Sequence, residues 1–112
     1  MSTIVKVLSL GTNPELLYLR DAVLRSAGFD VLTTLDPNEG LSMIEGGQYG
    51  ILLLCYSLPL PARKRLAETF RAECPHGRIV SITNEKGEPE FADLVVYGMD
   101  GPETLIETIR AA

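Results

Sequence analysis

The uninterrupted apolar run at residues 51–54 (Ile-Leu-Leu-Leu) constrains the fold of this chain more than any other feature. It is followed by Cys55, Tyr56, Ser57 and the turn residue Pro59. A short apolar run bounded by turn signals is typical of a strand buried on both faces, at the centre of a parallel sheet. In open α/β sheets, ligands bind just beyond the carboxyl ends of such strands. The residues around Cys55 are therefore the first candidates for a functional site, and none of them is a carboxylate.

Strand-like and helix-like segments alternate along the rest of the chain. Four further segments have the composition of strands: residues 4–10, 29–34, 78–83 and 94–97. The intervening helices are predicted to begin at Pro14, Pro37, about Ala62 and Pro102. Strict alternation with short loops predicts a parallel sheet with helices on both faces. Residues 1–112 are therefore predicted to form one α/β domain, a flavodoxin-like three-layer sandwich with five parallel strands in the order 2-1-3-4-5.

The sequence also predicts where helices begin or end and which side chains they turn inward. Asn13 and Asp36 are predicted N-caps, and Gly28 is predicted to end the first helix. The first helix is predicted to turn one broad apolar set inward: Leu16, Leu17, Leu19, Ala22, Val23, Leu24 and Ala27. In the third helix the predicted inward set is Leu66, Ala67 and Phe70.

The alternation fails between the fourth and fifth strands. If strands and helices alternated throughout, residues 84–92 would form a helix, but Gly87 and Pro89 allow at most a turn around Glu90 and Phe91. The fourth helix of the sandwich is therefore predicted to be shortened or missing.

Charge and composition narrow the class of partner. The formal net charge is -5 and the sequence pI is about 4.8. The densest basic cluster, residues 63–65, is interpreted as a solvated face, so neither nucleic acid nor an anionic membrane is expected as the partner. No apolar stretch is long enough to cross a bilayer, and no charged segment or cleavage site precedes the first strand. We therefore expect a complete small cytoplasmic protein.

The chain has two cysteines. Cys55 and Cys74 are predicted at opposite edges of the sheet, so no disulfide between them is expected. Cys74 and His76 supply at most half of a zinc site and are interpreted as a helix end and a turn. No metal and no cofactor is predicted.

Several motifs resemble the receiver domain of bacterial two-component response regulators, and the likeness covers essentially the whole chain. Residues 14–17 and 27–31 look like the receiver's first helix and the Gly-aromatic approach to its second strand. Residues 49–59 are similar to its third strand, which ends in the phosphoacceptor aspartate and has a proline four residues later. Residues 100–105 look like the start of its last helix.

The resemblance implies a set of reactive positions. In receivers, two acids after the first strand and the acceptor aspartate hold magnesium, a lysine offsets phosphoryl charge, and a threonine or serine carries the switch. The matching positions are Gly11 and Thr12 for the acids, Cys55 for the acceptor, Thr83 for the threonine, and Gly98, or alternatively Met99, for the lysine. Only at Thr83 does this chain have the residue type that receivers have at the matching position. Magnesium-dependent aspartyl phosphorylation is therefore not expected.

The first hypothesis is accordingly a degenerate receiver, or pseudo-receiver. It would be a non-enzymatic, phosphorylation-independent module that binds another signalling protein. Where the fourth helix is missing, Phe91, Leu94 and Tyr97 are the predicted interaction surface, and a homodimer through this face is a natural corollary.

Other functions stay open. The second hypothesis is a small-ligand or thiol redox sensor that uses the crevice around Gly11, Thr12, Cys55 and Thr83. Against it, no histidine or lysine is visibly placed to activate Cys55, which could instead be a small buried residue that fills the acceptor position. The turn at residues 11–14 is interpreted as a capped turn in preference to an anion site. A third hypothesis is a conventional phosphorylated regulator with unusual ligands.

Overall fold

A computed structural model describes residues 5–83 and 91–112. Its strands are β1 (Lys6–Leu10), β2 (Asp30–Thr34), β3 (Ile51–Cys55), β4 (Arg78–Thr83) and β5 (Leu94–Tyr97). Its helices are α1 (Pro14–Ser26), α2 (Pro37–Gly46), α3 (Leu60–Glu73) and α4 (Pro102–Ala111), with a 3-10 turn at Gly98–Asp100.

The five strands form one parallel sheet in the order β2-β1-β3-β4-β5. Every residue of β3 is buried, as expected for its apolar sequence. The predicted class, strand number and strand order are confirmed. Four α-helices in the described residues fit a fold whose fourth helix is shortened. The prediction that rests on Gly87, Pro89 and Glu90 falls on residues 84–90, which lie outside the described part of the chain.

Two apolar clusters, one on each face of the sheet, make up the core. On one face, Leu8 and Leu52 pack with Phe70 of α3. On the other face, Leu53 packs with Leu24 of α1 and with residues of α4. Successive side chains of a strand point to opposite faces, so each apolar strand supplies both clusters. This arrangement is the predicted three-layer sandwich.

Local signals set the helix ends. Asn13 Oδ1 accepts hydrogen bonds from the amides of Glu15 (3.1 Å) and Leu16 (3.3 Å), which confirms the predicted N-cap of α1. Asp36 Oδ1 caps α2 by accepting one hydrogen bond, from the Asn38 amide at 2.9 Å. The third helix begins at Leu60, two residues before the predicted start, and includes Pro61. Proline is tolerated there because first-turn amides have no partner within the helix.

The prediction for the inner face of α1 was too broad. Leu17 and Leu24 are buried, whereas Leu19 is 63% exposed and Ala22 is exposed as well. Helical geometry lets only one stripe of a surface helix face the sheet, and seven residues cannot all share that stripe. Arg20, which lies within the stripe, is only partly exposed.

A polar clamp holds the start of β5 against α3 and β4. Asp93 Oδ2 accepts hydrogen bonds from Arg71 Nη1 (2.9 Å) and from the amide of Ile79 (2.7 Å). Arg71 Nη2 also donates to the Phe91 carbonyl oxygen at 2.9 Å. Burial alone would raise the pKa of Asp93, but the bonds from Arg71 and Ile79, with Arg78 nearby, leave that pKa below its usual range. Asp93, Arg71 and Ile79 are called the Asp93 clamp below.

Candidate functional site

The structure brings the predicted site positions together at the carboxyl edge of the sheet. Leu10 is paired with Leu54, so Gly11 and Cys55 follow as neighbours, and a Cβ atom on Gly11 would lie 3.0 Å from the Cys55 Cβ. Thr83 is paired with Tyr97, and Gly98 follows at the end of β5. These positions come from four different strands and meet because parallel strands end at one edge.

Ser57 links the two loops that flank this edge. The Thr12 amide donates to Ser57 Oγ at 2.9 Å, and Thr12 Oγ1 donates to the Ser57 carbonyl oxygen at 3.2 Å. The Ser57 hydroxyl would also lie 3.3 Å from a Cβ atom on Gly11. The space beside Gly11 is therefore filled by protein atoms, and any side chain at that position would have to displace Cys55 or Ser57.

The residues of this edge do not fit a magnesium ion. Magnesium takes oxygen ligands in near-octahedral geometry, with carboxylates as the usual protein donors. Gly11, Thr12 and Ser57 offer hydroxyl and carbonyl groups, and Cys55 offers sulfur, which is a soft ligand. Among residues 5–83 and 91–112 no group of three or more His, Cys, Asp or Glu side chains could hold a metal ion.

Cys55 has an electrostatic partner that sequence reasoning missed. The residue is 1% exposed. Burial raises the pKa of its thiol, but hydrogen bonding to Ser57 and the nearby Arg20 guanidinium outweigh burial, so the pKa lies below the usual cysteine value. A signal for Arg20 was present in the sequence, because it lies four residues after Leu16 and three before Val23, on the helix face that meets the sheet.

The switch-equivalent and lysine-equivalent positions are adjacent. Thr83 is 8% exposed. A Cβ atom on Gly98 would lie 3.8 Å from the Thr83 carbonyl oxygen and 3.9 Å from the Tyr56 ring. The Tyr56 amide donates to the Ile82 carbonyl oxygen at 2.8 Å, which fixes this aromatic residue beside the edge. Met99, the alternative position for the lysine, lies in the 3-10 turn and is 91% exposed.

The residues of the predicted interaction surface have different environments. Phe91 is partly buried and packs against the cluster that contains α3. Leu94 is partly buried and packs against the cluster that contains α1 and α4. Tyr97 is 40% exposed at the end of β5. The interaction surface therefore stays a prediction, centred on Tyr97 among these three residues.

The two remaining sequence candidates lie away from the carboxyl edge. Cys74 is buried at the end of α3, with its sulfur 3.9 Å from the Gly47 carbonyl oxygen, and both cysteines are free. His76 is exposed in the following turn. In the described ranges, no helix combines the length and the apolar character needed to span a membrane.

Comparisons with known proteins give a likeness of fold. No family model matches the chain, and no curated protein matches it either. Among solved structures, a CheY-like receiver domain from Methanospirillum hungatei is 20% identical, with a TM-score of 0.84, covering 97% of this chain and 93% of that one. The chemotaxis response regulator CheY4 of Vibrio cholerae is 19% identical, with a TM-score of 0.86 and coverage of 97% and 98%.

A third similar structure shows a metal. The receiver domain of the sensor histidine kinase PA1611 from Pseudomonas aeruginosa, 17% identical with a TM-score of 0.83, covers 97% of each chain and holds a magnesium ion in its active site cleft. At these identities the likeness extends to the fold. The chain therefore has the fold of CheY-like response regulator receiver domains.

Proposed function

We propose that this protein is a receiver-like signalling module that does not accept a phosphoryl group. It acts by binding another signalling protein in a two-component-type pathway, and it catalyses no reaction. The partner is neither a nucleic acid nor a membrane, and the module works in the bacterial cytoplasm. Self-association through the surface around Tyr97 is part of the proposal.

One observation carries the proposal. The edge where a receiver would hold its metal contains Gly11, Thr12 and Cys55, and the Ser57 hydroxyl occupies the space beside Gly11. Without carboxylates at positions 11, 12 and 55, the described residues of this edge give a hard divalent cation no ligand set, and without a cation and a lysine nothing offsets the charge of a phosphoryl group. The five-stranded sheet, with helices packed on both of its faces, is present among the described residues, so the protein has a scaffold on which a partner could bind.

The first test is an amide NMR spectrum with and without magnesium and beryllofluoride, which mimics an acyl phosphate. We expect no saturable shift at Cys55, Thr83 or Gly98. A receiver domain that retains the acid pair and the acceptor aspartate is the positive control. The Cys55→Asp variant is the matched control. It should also show no saturable shift, because it restores the acceptor aspartate without the acid pair. Specific, saturable shifts in the natural chain would contradict the proposal and favour a phosphorylated regulator with unusual ligands.

The second test addresses the partner. A photo-crosslinking amino acid in place of Tyr97 should capture a protein partner or a second copy of the chain. The same substitution at Arg65, an exposed residue of α3, is the control position. The yield at position 97 should not change with magnesium and beryllofluoride. Equal yields at both positions would count against the proposed surface.

The thiol-sensor function remains a second candidate because of one observation. Arg20 and Ser57 lower the pKa of Cys55 although burial opposes them. Against this function, the thiol is 1% exposed, so an oxidant reaches it only when the edge opens. Alkylation of Cys55 much faster than that of a model thiol at neutral pH would favour the sensor, and slower alkylation would favour the binding module.

A further inference from the structure

An apolar groove with one cationic group lies between α1 and α4. It has a volume of about 200 Å³. Leu16 and Val23 of α1 form one wall, Val96 of β5 forms part of the floor, and Leu105 of α4 forms part of the opposite wall. Among the described residues that line it, Arg20 is the only charged one.

The Arg20 guanidinium lies beside the Cys55 thiol, whose pKa it helps to lower, but it is incompletely hydrogen-bonded. Its Nη1 atom is buried and has no hydrogen-bond partner among the described residues. A buried donor without a partner is unfavourable, and more so when it carries charge. An acceptor on a ligand would remove this cost, and a carboxylate would do so best because it pairs its charge with the guanidinium and can accept two hydrogen bonds from it.

The start of α4 also borders the groove. Gly101 and Pro102 line it, and α4 has no side-chain cap at its N-terminus. A Cβ atom on Gly101 would meet no atom within 4 Å, so the space beside this end of the helix is open.

The volume limits the apolar part of a ligand. A dry apolar cavity of about 150 Å³ accommodates benzene. The groove, at about 200 Å³, therefore has room for one aromatic ring and a small polar group. Ligand sites typically combine an apolar lining with a few convergent polar groups, which is the composition found here.

We propose that the α1–α4 groove binds a small monocarboxylate with a single aromatic ring, with the ring among the apolar side chains and the carboxylate on Arg20. The site lies beneath the carboxyl edge and shares none of the receiver-equivalent positions except Gly98. Tyr97 lines the groove and also belongs to the proposed interaction surface, but ligand binding is measured on the isolated chain and can fail or hold whether or not a partner binds there.

The test is an NMR titration of the natural chain with phenylacetate, followed through the amides of Val96, Gly98 and Leu105. We expect saturable shifts centred on these residues. The uncharged isostere 2-phenylacetamide should bind about tenfold more weakly or worse, because its neutral carbonyl oxygen cannot form an ion pair with the guanidinium. Equal binding of the acid and the amide would overturn the assignment to a carboxylate, and absence of saturable shifts with phenylacetate would overturn the site.

Two variants sharpen the test. Arg20→Gln should weaken phenylacetate binding by about tenfold or more while leaving the amide ligand nearly unaffected. Arg65→Gln removes the same charge from an exposed position on α3, on the other face of the sheet, and should bind like the natural chain. Unchanged phenylacetate binding in Arg20→Gln would overturn the role of Arg20. If Arg20→Gln does not give the spectrum of a folded protein, the acid and amide comparison in the natural chain decides.

Discussion

Replacing Asp93 by alanine should destabilise the protein, since Asp93 is the acceptor of the Asp93 clamp. The bond from the partly buried Ile79 amide contributes about 1.5–2 kcal/mol, as hydrogen bonds to charged groups do. The Arg71 side chain is 45% exposed, so its pair with Asp93 adds only about 0.5 kcal/mol. The expected loss in free energy of unfolding is about 2–2.5 kcal/mol, or roughly 8–10 °C in Tm for a domain of this size.

Urea denaturation followed by circular dichroism measures this loss, and Glu68→Ala is the control. Glu68 is an exposed acid of α3 with no ion pair in the described residues, so its replacement should change the free energy of unfolding by less than about 0.5 kcal/mol. A loss in Asp93→Ala no larger than in Glu68→Ala would refute the reasoning about the clamp.

The pH dependence of the loss tests the charge of Asp93. Its pKa in the folded protein is lowered from the usual value of 3.8, so its contribution is fully present above that pH and is lost as the pH falls through the folded-state pKa. The difference in stability between the natural chain and Asp93→Ala should therefore be constant near neutral pH and should shrink in acid below 3.8. A difference that stays constant in acid would show that the carboxylate charge takes no part.

Three further predictions concern single contacts. Arg20→Gln should raise the pH midpoint of Cys55 alkylation, because it removes the nearby cation that favours the thiolate. Mass spectrometry of the labelled peptide measures the midpoint, and an unchanged midpoint would contradict this prediction. The Arg25 guanidinium donates a hydrogen bond to the Val31 carbonyl oxygen on the outer edge of β2. Arg25→Ala should therefore lower the free energy of unfolding by about 1 kcal/mol and promote concentration-dependent association in sedimentation experiments. A variant that stays as monodisperse as the natural chain would argue against edge protection. Gly77→Ala should lower the free energy of unfolding by about 1–3 kcal/mol, because the added methyl group would lie 2.5 Å from the Phe70 ring. Thermal unfolding measures this loss, and an unchanged Tm would contradict the prediction.

Most of the fold could be predicted because local signals and the global pattern agree. β4 and β5 have the predicted bounds, three helices begin at the predicted Pro14, Pro37 and Pro102, and the other predicted ends differ by at most about two residues. Where capping side chains and prolines mark a helix start, as at Asn13, the prediction was accurate. The third helix was predicted to begin at about Ala62 and begins at Leu60, because Pro61 fits the first helical turn.

The site was harder to predict because its chemistry depends on contacts between distant parts of the chain. Placing Gly11 and Cys55 at one edge needed only the order of parallel strands. The link between Thr12 and Ser57 joins residues 45 positions apart and has no sequence signature. Arg20 was overlooked because a charged residue in an apolar helical pattern is normally assigned to solvent, whereas a long side chain can bury its stem and carry its charge to the sheet.

The hydrogen bonds between Thr12 and Ser57 also bear on how such a module could be controlled. They hold two loops of the carboxyl edge in one arrangement, using only groups of the protein itself. A partner that recognises this edge binds a preorganised surface, so little conformational entropy is lost in ordering these loops on binding. Its affinity would then be the same whether or not a kinase is active. Under the proposed function, the fraction of partner bound depends on how much of this protein the cell makes, and control passes from chemical modification to synthesis and degradation.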